Sequence, residues 1–364
     1  MKAWRYIIET ILTTVPATVL LSGCVLIDDE LGECKQKTQN YELNYELRLV
    51  TNMTTELSTQ LGLVTDVKLS TALKNHLSDI FTDYAHDVDL SFYDVDGDSA
   101  RLQHDQHIMD ANQHSYTLYL PMRQYMHLAV ANVVKNPVVG ISDDEYCHIS
   151  RLATVTSNGS VPDTIDSHNT GLFTARLPME VLGNVDQTFN VHLYMANCAA
   201  ALVIDPKGLD ISSLKVFTTG FATEYSICDS CYVFAAKSPI VRTHKLTTDD
   251  GDVCFVSVNF PSREPAASGA PQYRSTTRSI IETEEPFISE DDASTLWQFR
   301  AYITNSDGTI TESVLSLRQP LRAGQLKIVK AFVNPDGSVR TDNPTVGVSV
   351  TLDWKQGTDF DVPL

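Results

Sequence analysis

Polar and apolar residues alternate along much of the chain with a period of two. Tyr41, Leu43, Tyr45, Leu47 and Leu49 are separated by Glu42, Asn44, Glu46 and Arg48, the pattern of a strand with one buried face. Val88, Leu90 and Phe92 repeat it, ending in the turn-forming residues Asp94, Asp96, Gly97 and Asp98. Tyr116, Leu118 and Leu120 form a third run, stopped by Pro121, and residues 125–131 a fourth, stopped by Asn132. One segment breaks the period. Leu69, Leu73, Leu77, Ile80 and Phe81 fall on one helical face and predict a short amphipathic helix over 67–81.

Later segments keep the strand pattern. Residues 191–194, 199–204, 214–218, 232–235, 253–260, 296–303, 309–317 and 326–333 are strand candidates. Turns such as Asn305-Ser306-Asp307-Gly308 and Asn334-Pro335-Asp336-Gly337 separate several of them. In the closing strand Val346, Val348, Val350, Leu352 and Trp354 share one face. A Pro/Ser/Ala-rich stretch, 261–277, and an acidic one, 282–292, read as one long exposed loop. Many short strands joined by tight turns predict an all-β chain of two tandem β-sandwiches, with one short helical insert in the first. The stretch 157–170, rich in Ser, Asn, Gly and Asp, places the boundary, so the sandwiches are expected over 39–165 and 166–364.

Composition narrows the function classes. The 364 residues are 43% hydrophobic and 20% charged, which suits a chain with a real core. Lys and Arg number 27 against 46 Asp and Glu, a net charge of -19. Such a chain lacks the basic footprint that phosphate backbones require, so no nucleic-acid partner is expected.

The N-terminus has the order of a secretory signal over 1–23. Lys2 and Arg5 precede the apolar stretch 11–21, which is too short to span a bilayer. The sequence Leu21-Ser22-Gly23-Cys24 follows and resembles the bacterial lipobox, whose cysteine is lipidated and becomes the new N-terminus. Cys24 is therefore the expected lipidation site, and 24–38 the tether. Such an anchor holds a folded body at a membrane without threading it through. No later stretch offers about 18 uninterrupted apolar residues. Asp28, Asp29 and Glu30 resemble the surface-export signal of Bacteroidetes lipoproteins, or simply solvate the tether.

No catalytic constellation stands out. The nucleophile elbow, the H-E-x-x-H helix and the glycine-rich phosphate loops are all missing from the sequence. Cys228-Asp229-Ser230-Cys231 has redox or zinc spacing, but its surroundings look like strand and turn, and no second pair matches it. With Cys24 lipidated, Cys34, Cys147, Cys198, Cys228, Cys231 and Cys254 are an even set that permits disulfides without assigning them. His104, His107 and His114, with Asp105 and Asp110, form the nearest thing to a metal cluster, yet read more simply as a solvated loop between strands. Asp94, Asp96 and Asp98 have the spacing of three calcium ligands, but Gly97 sits at the wrong loop position and no Glu closes the set. Aromatic residues such as Tyr116, Tyr119 and Trp354 could stack on sugars, but most are read as inward-facing strand residues. No enzyme, cofactor or metal is expected.

The order of segments then becomes informative. Cys24 is followed by acidic residues, Cys34, the strand at 41–49 and the helical insert. Next come Val88-Asp89-Leu90-Ser91-Phe92-Tyr93-Asp94-Val95-Asp96-Gly97, Tyr116-Thr117-Leu118-Tyr119-Leu120-Pro121 and Tyr125-Met126-His127-Leu128-Ala129-Val130-Ala131-Asn132. This resembles the N-terminal domain of the FimB-type fimbrial anchor lipoproteins of Bacteroidales. Gly171-Leu172-Phe173, residues 189–204, Pro320-Leu321-Arg322-Ala323-Gly324-Gln325 and the ending Asp353-Trp354 are similar to that family's second domain. The resemblance implies two transthyretin-like, Greek-key β-sandwiches. It also implies a non-catalytic subunit at the cell surface, lipid-anchored to the outer membrane, that anchors the fimbrial shaft and influences its assembly or length. Other fimbrial subunits would be its partners, joined by β-strand addition. The Cys228/Cys231 pair and the 261–292 stretch depart from the family pattern. Asp98-Ser99-Ala100 and Asp163-Thr164-Ile165 resemble Bacteroidetes O-glycosylation sequons. The alternative is a surface glycan-binding lipoprotein of a polysaccharide-uptake system, which would need an exposed aromatic platform.

Overall fold

A computed structural model describes residues 39–51, 53–61, 64, 67–81, 85–95, 101–109, 114–134, 138–144, 147–154, 164–183, 185–235, 238–247, 253–265, 279–281 and 295–352. The lipobox, the tether, Asp96, Gly97, Asp98, Ser99, Asp110, Asp163, most of 266–292 and Trp354 lie outside them.

The first strands are β1 (Asn40–Val50), β2 (Asp87–Asp94), β3 (Arg101–Met109), β4 (Ser115–Pro121), β5 (Gln124–Ala131), β6 (Val139–Asp144), β7 (Cys147–Thr154) and β8 (Thr164–Asp166). Then come β9 (Phe173–Glu180), β10 (Gln187–Met195), β11 (Cys198–Asp205), β12 (Lys215–Thr219), β13 (Glu224–Ser226), β14 (Cys231–Val233), β15 (Ile240–Arg242) and β16 (His244–Thr247). The last are β17 (Val253–Asn259), β18 (Ser279–Ile281), β19 (Trp297–Thr304), β20 (Ile310–Leu317), β21 (Leu326–Val333), β22 (Val339–Arg340) and β23 (Val346–Thr351). Two helices among the described residues, α1 (Met53–Leu61) and α2 (Val67–Ile80), follow β1. The helix expected at 67–81 is α2, and Leu69, Leu73, Leu77 and Ile80 are its buried face. The insert is larger than expected because α1 precedes it. Thr51 starts α1 by accepting the Met53 amide on its hydroxyl at 3.0 Å. Among threonines and polar residues, Met53, Leu57 and Leu61 make only a narrow apolar stripe, too thin to read as a helix.

Four sheets stack. Their strand orders are β3-β2-β5-β9-β10-β1-β4, β16-β17-β11-β21-β22, β23-β20-β19-β12-β15-β8 and β18-β14-β13-β7-β6. β9 and β10, which a division at 165/166 assigns to the second sandwich, hydrogen-bond within the first sheet. β1 runs parallel to β10 from Leu43↔Gln187 to Val50↔Tyr194. β8 pairs in the other direction along the chain, with β15. The described sheets therefore draw strands from both sides of 157–170.

The first sheet curls on itself. Tyr45 on β1 and His127 on β5 stand on strands separated by β10 and β9, about 14 Å apart in a flat sheet. Yet the Tyr45 hydroxyl donates to His127 Nε2 at 2.8 Å in the interior. Nδ1 of His127 lies 3.0 Å from the Ser91 carbonyl. A carbonyl only accepts, so Nδ1 carries the proton and Nε2 is the acceptor. Phe92 stacks on the ring. One apolar cluster joins this inner face (Leu43, Leu47, Val88, Leu90, Val191, Leu193) to both helices and to one face of the second sheet.

β11 is buried on both faces. Ala199, Ala201 and Val203 enter that first cluster, while Ala200, Leu202 and Ile204 enter a second cluster with Trp297, Phe299 and Leu315 of the third sheet. On the outer face of β5, Leu128 and Val130 meet Leu152, Tyr225 and Tyr232 of the fourth sheet.

The passage from β10 to β11 is held by Asn197. It is fully buried, its Oδ1 accepts the Leu172 amide at 3.1 Å, and its Nδ2 donates to the Thr170 carbonyl at 2.9 Å. His168, also buried, lies against Phe260 beside it. The expected exposed loop begins inside this junction. Ser262 and Arg263 are buried, and the Ser262 hydroxyl accepts the Leu321 amide at 2.8 Å. Further along, β18 pairs with β14.

Two outcomes follow from the buried polar groups. Asn197→Ala leaves the Leu172 amide and Thr170 carbonyl without their partner and is expected to cost about 2 kcal/mol in chemical unfolding; a loss within error of zero counts against the junction role. Burial pushes His127 down to about 4, partly offset by the Ser91 carbonyl, and His168 down to about 3. The unfolded chain takes up these protons near the ordinary histidine value, about 6.5, and the folded chain does not. Stability is thus full above that value and falls as pH drops through it, by about 1.4 kcal/mol per pH unit for each histidine. Asp205 and Asp336, held below the usual carboxylate range by hydrogen bonds to Lys207 and Ser338, add losses only below about pH 4. A denaturation midpoint unchanged between pH 7.5 and pH 5 would contradict this.

Candidate assembly edges

A strand at the margin of a sheet leaves a row of backbone amides and carbonyls open to another strand, and proteins guard such margins with charge, proline, bulges or brevity. The four sheets end in β3 and β4, β16 and β22, β23 and β8, and β18 and β6. β22 has 2 residues, while β8 and β18 have 3 each. β16 carries His244 and Lys245, and β6 ends in Asp143-Asp144 with a register shift against β7. β3 contains Arg101, His104, Asp105 and His107, and its pairing with β2 is bulged at Phe92/Tyr93. β4 terminates at Pro121.

β23 differs from all of these. Its sequence, Val346-Gly347-Val348-Ser349-Val350-Thr351, has neither charge nor proline. It pairs with β20 from Leu317↔Val346 to Glu312↔Thr351, and no described strand pairs with its other side. The apolar row expected to point inward leaves the core as it goes. Val346 is buried, but Val348 is 36% exposed, Val350 half-buried and Leu352 59% exposed. The alternation identifies a strand; it does not say that the last strand of a sheet lacks a layer over that end.

Behind β23, the interior strands are cross-tied. Glu312 on β20 is buried and accepts the Tyr302 hydroxyl at 2.8 Å and Arg300 at 3.3 Å. Burial, then the Glu312 carboxylate, raises the Tyr302 hydroxyl well above its usual value. Gln298 extends the tie to Ser316 at 3.1 Å. The edge thus hangs on a rigid pair of strands.

The residues singled out from sequence are distributed differently. Cys24 lies outside the described residues. The segment read as a histidine loop is strand β3. His107 bonds Asp89 at 2.5 Å on β2, while His104 sits edge-on to Tyr125. His114 lies before β4, its carbonyl accepting the Leu47 amide. A strand turns alternate side chains to opposite faces and spreads neighbours, so these histidines diverge. Among the described residues no group of three His, Cys, Asp or Glu side chains could hold a metal ion. Asp94 is buried and ion-paired with Arg123. Cys228 lies within the β13–β14 turn and Cys231 opens β14, with Ser230 in the left-handed region at φ 54°. Cys198 and Cys254 are buried, and desolvation pushes the Cys254 thiol up to about 12. Thr164 opens β8, half-buried.

Tyr119, on the face opposite Leu118 and Leu120, is exposed on β4, as is Tyr194 on β10. They flank β1 opposite Glu42 and Val50, about 27 Å apart along the strand. That is far beyond adjacent sugar rings, so the two do not form one stacking platform.

No family model matches the chain, and no curated protein matches its sequence. Solved structures with a similar course of the chain include a candidate adhesin from Bacteroides ovatus, at TM-score 0.49 and 14% identity, covering 86% of this chain and 96% of that one. The fimbrial anchor protein Mfa2 from Porphyromonas gingivalis aligns at TM-score 0.43 and 9% identity, covering 86% and 99%. The tip fimbrial protein Mfa3 from the same organism aligns at TM-score 0.37 and 11% identity, covering 86% and 100%. Likenesses this distant assign this chain no function.

An open β23 has a direct signature. Its amides directed away from β20 are expected to exchange hydrogen quickly, while those of β19 and β20 stay protected. Slow exchange along all of β23 would show that something covers the edge.

Proposed function

We propose that the chain is a non-catalytic subunit of a cell-surface fimbria, anchored to the outer membrane by lipid on Cys24, and that it holds the shaft and regulates its assembly or length. In this reading an extended segment of a neighbouring subunit adds to β23. The uncharged, apolar edge of β23 carries the reading, because it offers an incoming strand both a hydrogen-bonding ladder and an apolar row to cover. The lipobox supports the anchor, and each buried methylene of an acyl chain contributes about 0.8 kcal/mol to retention. No described helix is long and apolar enough to cross a membrane.

The family resemblance further implies transthyretin-like, Greek-key sandwiches. Neighbours distant in the chain, β1 beside β10 and β11 beside β21, are parallel pairs and stand apart from the antiparallel Greek key. Glycan binding is less favoured, because Tyr119 and Tyr194 stand too far apart to serve one sugar chain.

Two substitutions separate anchoring from assembly. Cys24→Ala is expected to shed fibres into the medium and abolish labelled-palmitate incorporation, with subunit contacts intact. Val348→Lys places a charge on the open edge, and is expected to leave stability within about 0.5 kcal/mol while the chain no longer crosslinks into fibres. Fibres that retain a Val348→Lys chain at wild-type levels would remove β23 as the joint. Recovery with a nutrient-uptake porin and no fibre would favour the glycan-binding role.

A further inference from the structure

Exposed large apolar side chains are not evenly spread. Of the eleven among the described residues, Val95, Tyr119, Met122, Leu182 and Val185 gather at one end of the first sheet. The pairings place them there. Asn40 is opposite Pro121 at the start of β1, and Gln124 is opposite Glu180. The Val95 amide donates to the Gln124 carbonyl, and that of Val181 to Arg123. Gly183 binds the two turns closely, since a Cβ on it would lie 3.1 Å from the Met122 sulfur and 3.1 Å from the Tyr41 hydroxyl oxygen. Met122 is 58% and Val185 54% exposed, although each sits in a tight turn where polar residues are usual.

The same end is where the chain enters the fold. β1 begins at Asn40, so residues 24–38 lead from Cys24 to this tip. A chain of that length has an r.m.s. span of about 20 Å and a maximal reach of about 50 Å. An acyl group on Cys24 therefore holds the tip close to the bilayer, at an effective concentration high enough for a weak apolar contact to persist. Glu42, Glu180 and Asp186 flank the tip and are exposed, so the attraction does not draw on anionic headgroups.

We infer that the turns carrying Met122, Leu182 and Val185 dip into the lipid surface and set the orientation of the anchored subunit. The inference rests on the Cys24 anchor reading. It adds a second, non-covalent membrane contact that leaves the opposite end of the sheet, with Tyr194, pointing away.

The test uses the mature, lipidated full chain reconstituted into phosphatidylcholine vesicles with brominated acyl chains, which quench tryptophan on contact. Leu182→Trp is expected to lose emission and shift to the blue relative to unbrominated vesicles, in low and high salt alike. Tyr194→Trp, at the far end of β10, is expected to show no loss beyond that of the wild type. Equal quenching at both positions, or none at Leu182→Trp, overturns the contact. So does a doubled mass by light scattering in detergent-free buffer that Leu182→Asp returns to monomer, which would make the tip a contact between copies. Mass spectrometry of the Cys24 peptide is read first. An unmodified Cys24 removes the anchor and this inference together, while an acylated Cys24 with an unquenched tip removes this inference alone.

Discussion

Everything in this fold leans on a strand with no solvent face. β11 sends Ala199, Ala201 and Val203 into one core and Ala200, Leu202 and Ile204 into another. Its neighbours are β17 on one side and β21 on the other. Such a strand has no tolerance for a register slip, because a shift by one residue exchanges every side chain between two packed interiors. The small alanines suit the side that faces the helices, where α1 and α2 already fill the space above the curled sheet.

Because β11 is shared, the usual picture of beads on a string does not hold. β1 closes the first sheet by lying parallel to β10, a partner far along the chain, so that sheet is incomplete until most of the N-terminal half has been made. The crossing between the cores is polar. Asn197 and Ser262 satisfy backbone groups that no sheet can reach, and an apolar residue at either would bury an unpaired amide or carbonyl. Specificity at the junction comes from these few bonds, while bulk stability comes from the clusters on either side.

Function on this scaffold sits at margins. Most edges are short, charged, bulged or ended by proline, which keeps a many-stranded protein from pairing with itself. β23 is the exception among the described edges, and the strand behind it is tied to β19 by Arg300, Glu312 and Tyr302. The apolar turns lie on a different sheet, at the end where the tether arrives. In the proposed reading the first of these surfaces would meet a neighbouring subunit and the second the membrane.

Period-two alternation located β1, β2 and β4, and short apolar runs between turns located β5, β11, β17, β19, β20 and β21 to within a few residues. The heptad-like run of leucines located α2, and the order of charge, apolar stretch and small residues singled out Cys24. These features are legible because each depends on local periodicity alone. The tertiary structure decided the rest. Strand β3 was hidden because its residues are polar on both faces at a sheet margin, and α1 because its apolar stripe is thin. The partnership of β1 with β10 and the double burial of β11 depend on contacts far apart in the chain. Val348 looks like a core residue in sequence. Only the position of its strand at the limit of a sheet, with no described layer above, leaves it facing solvent.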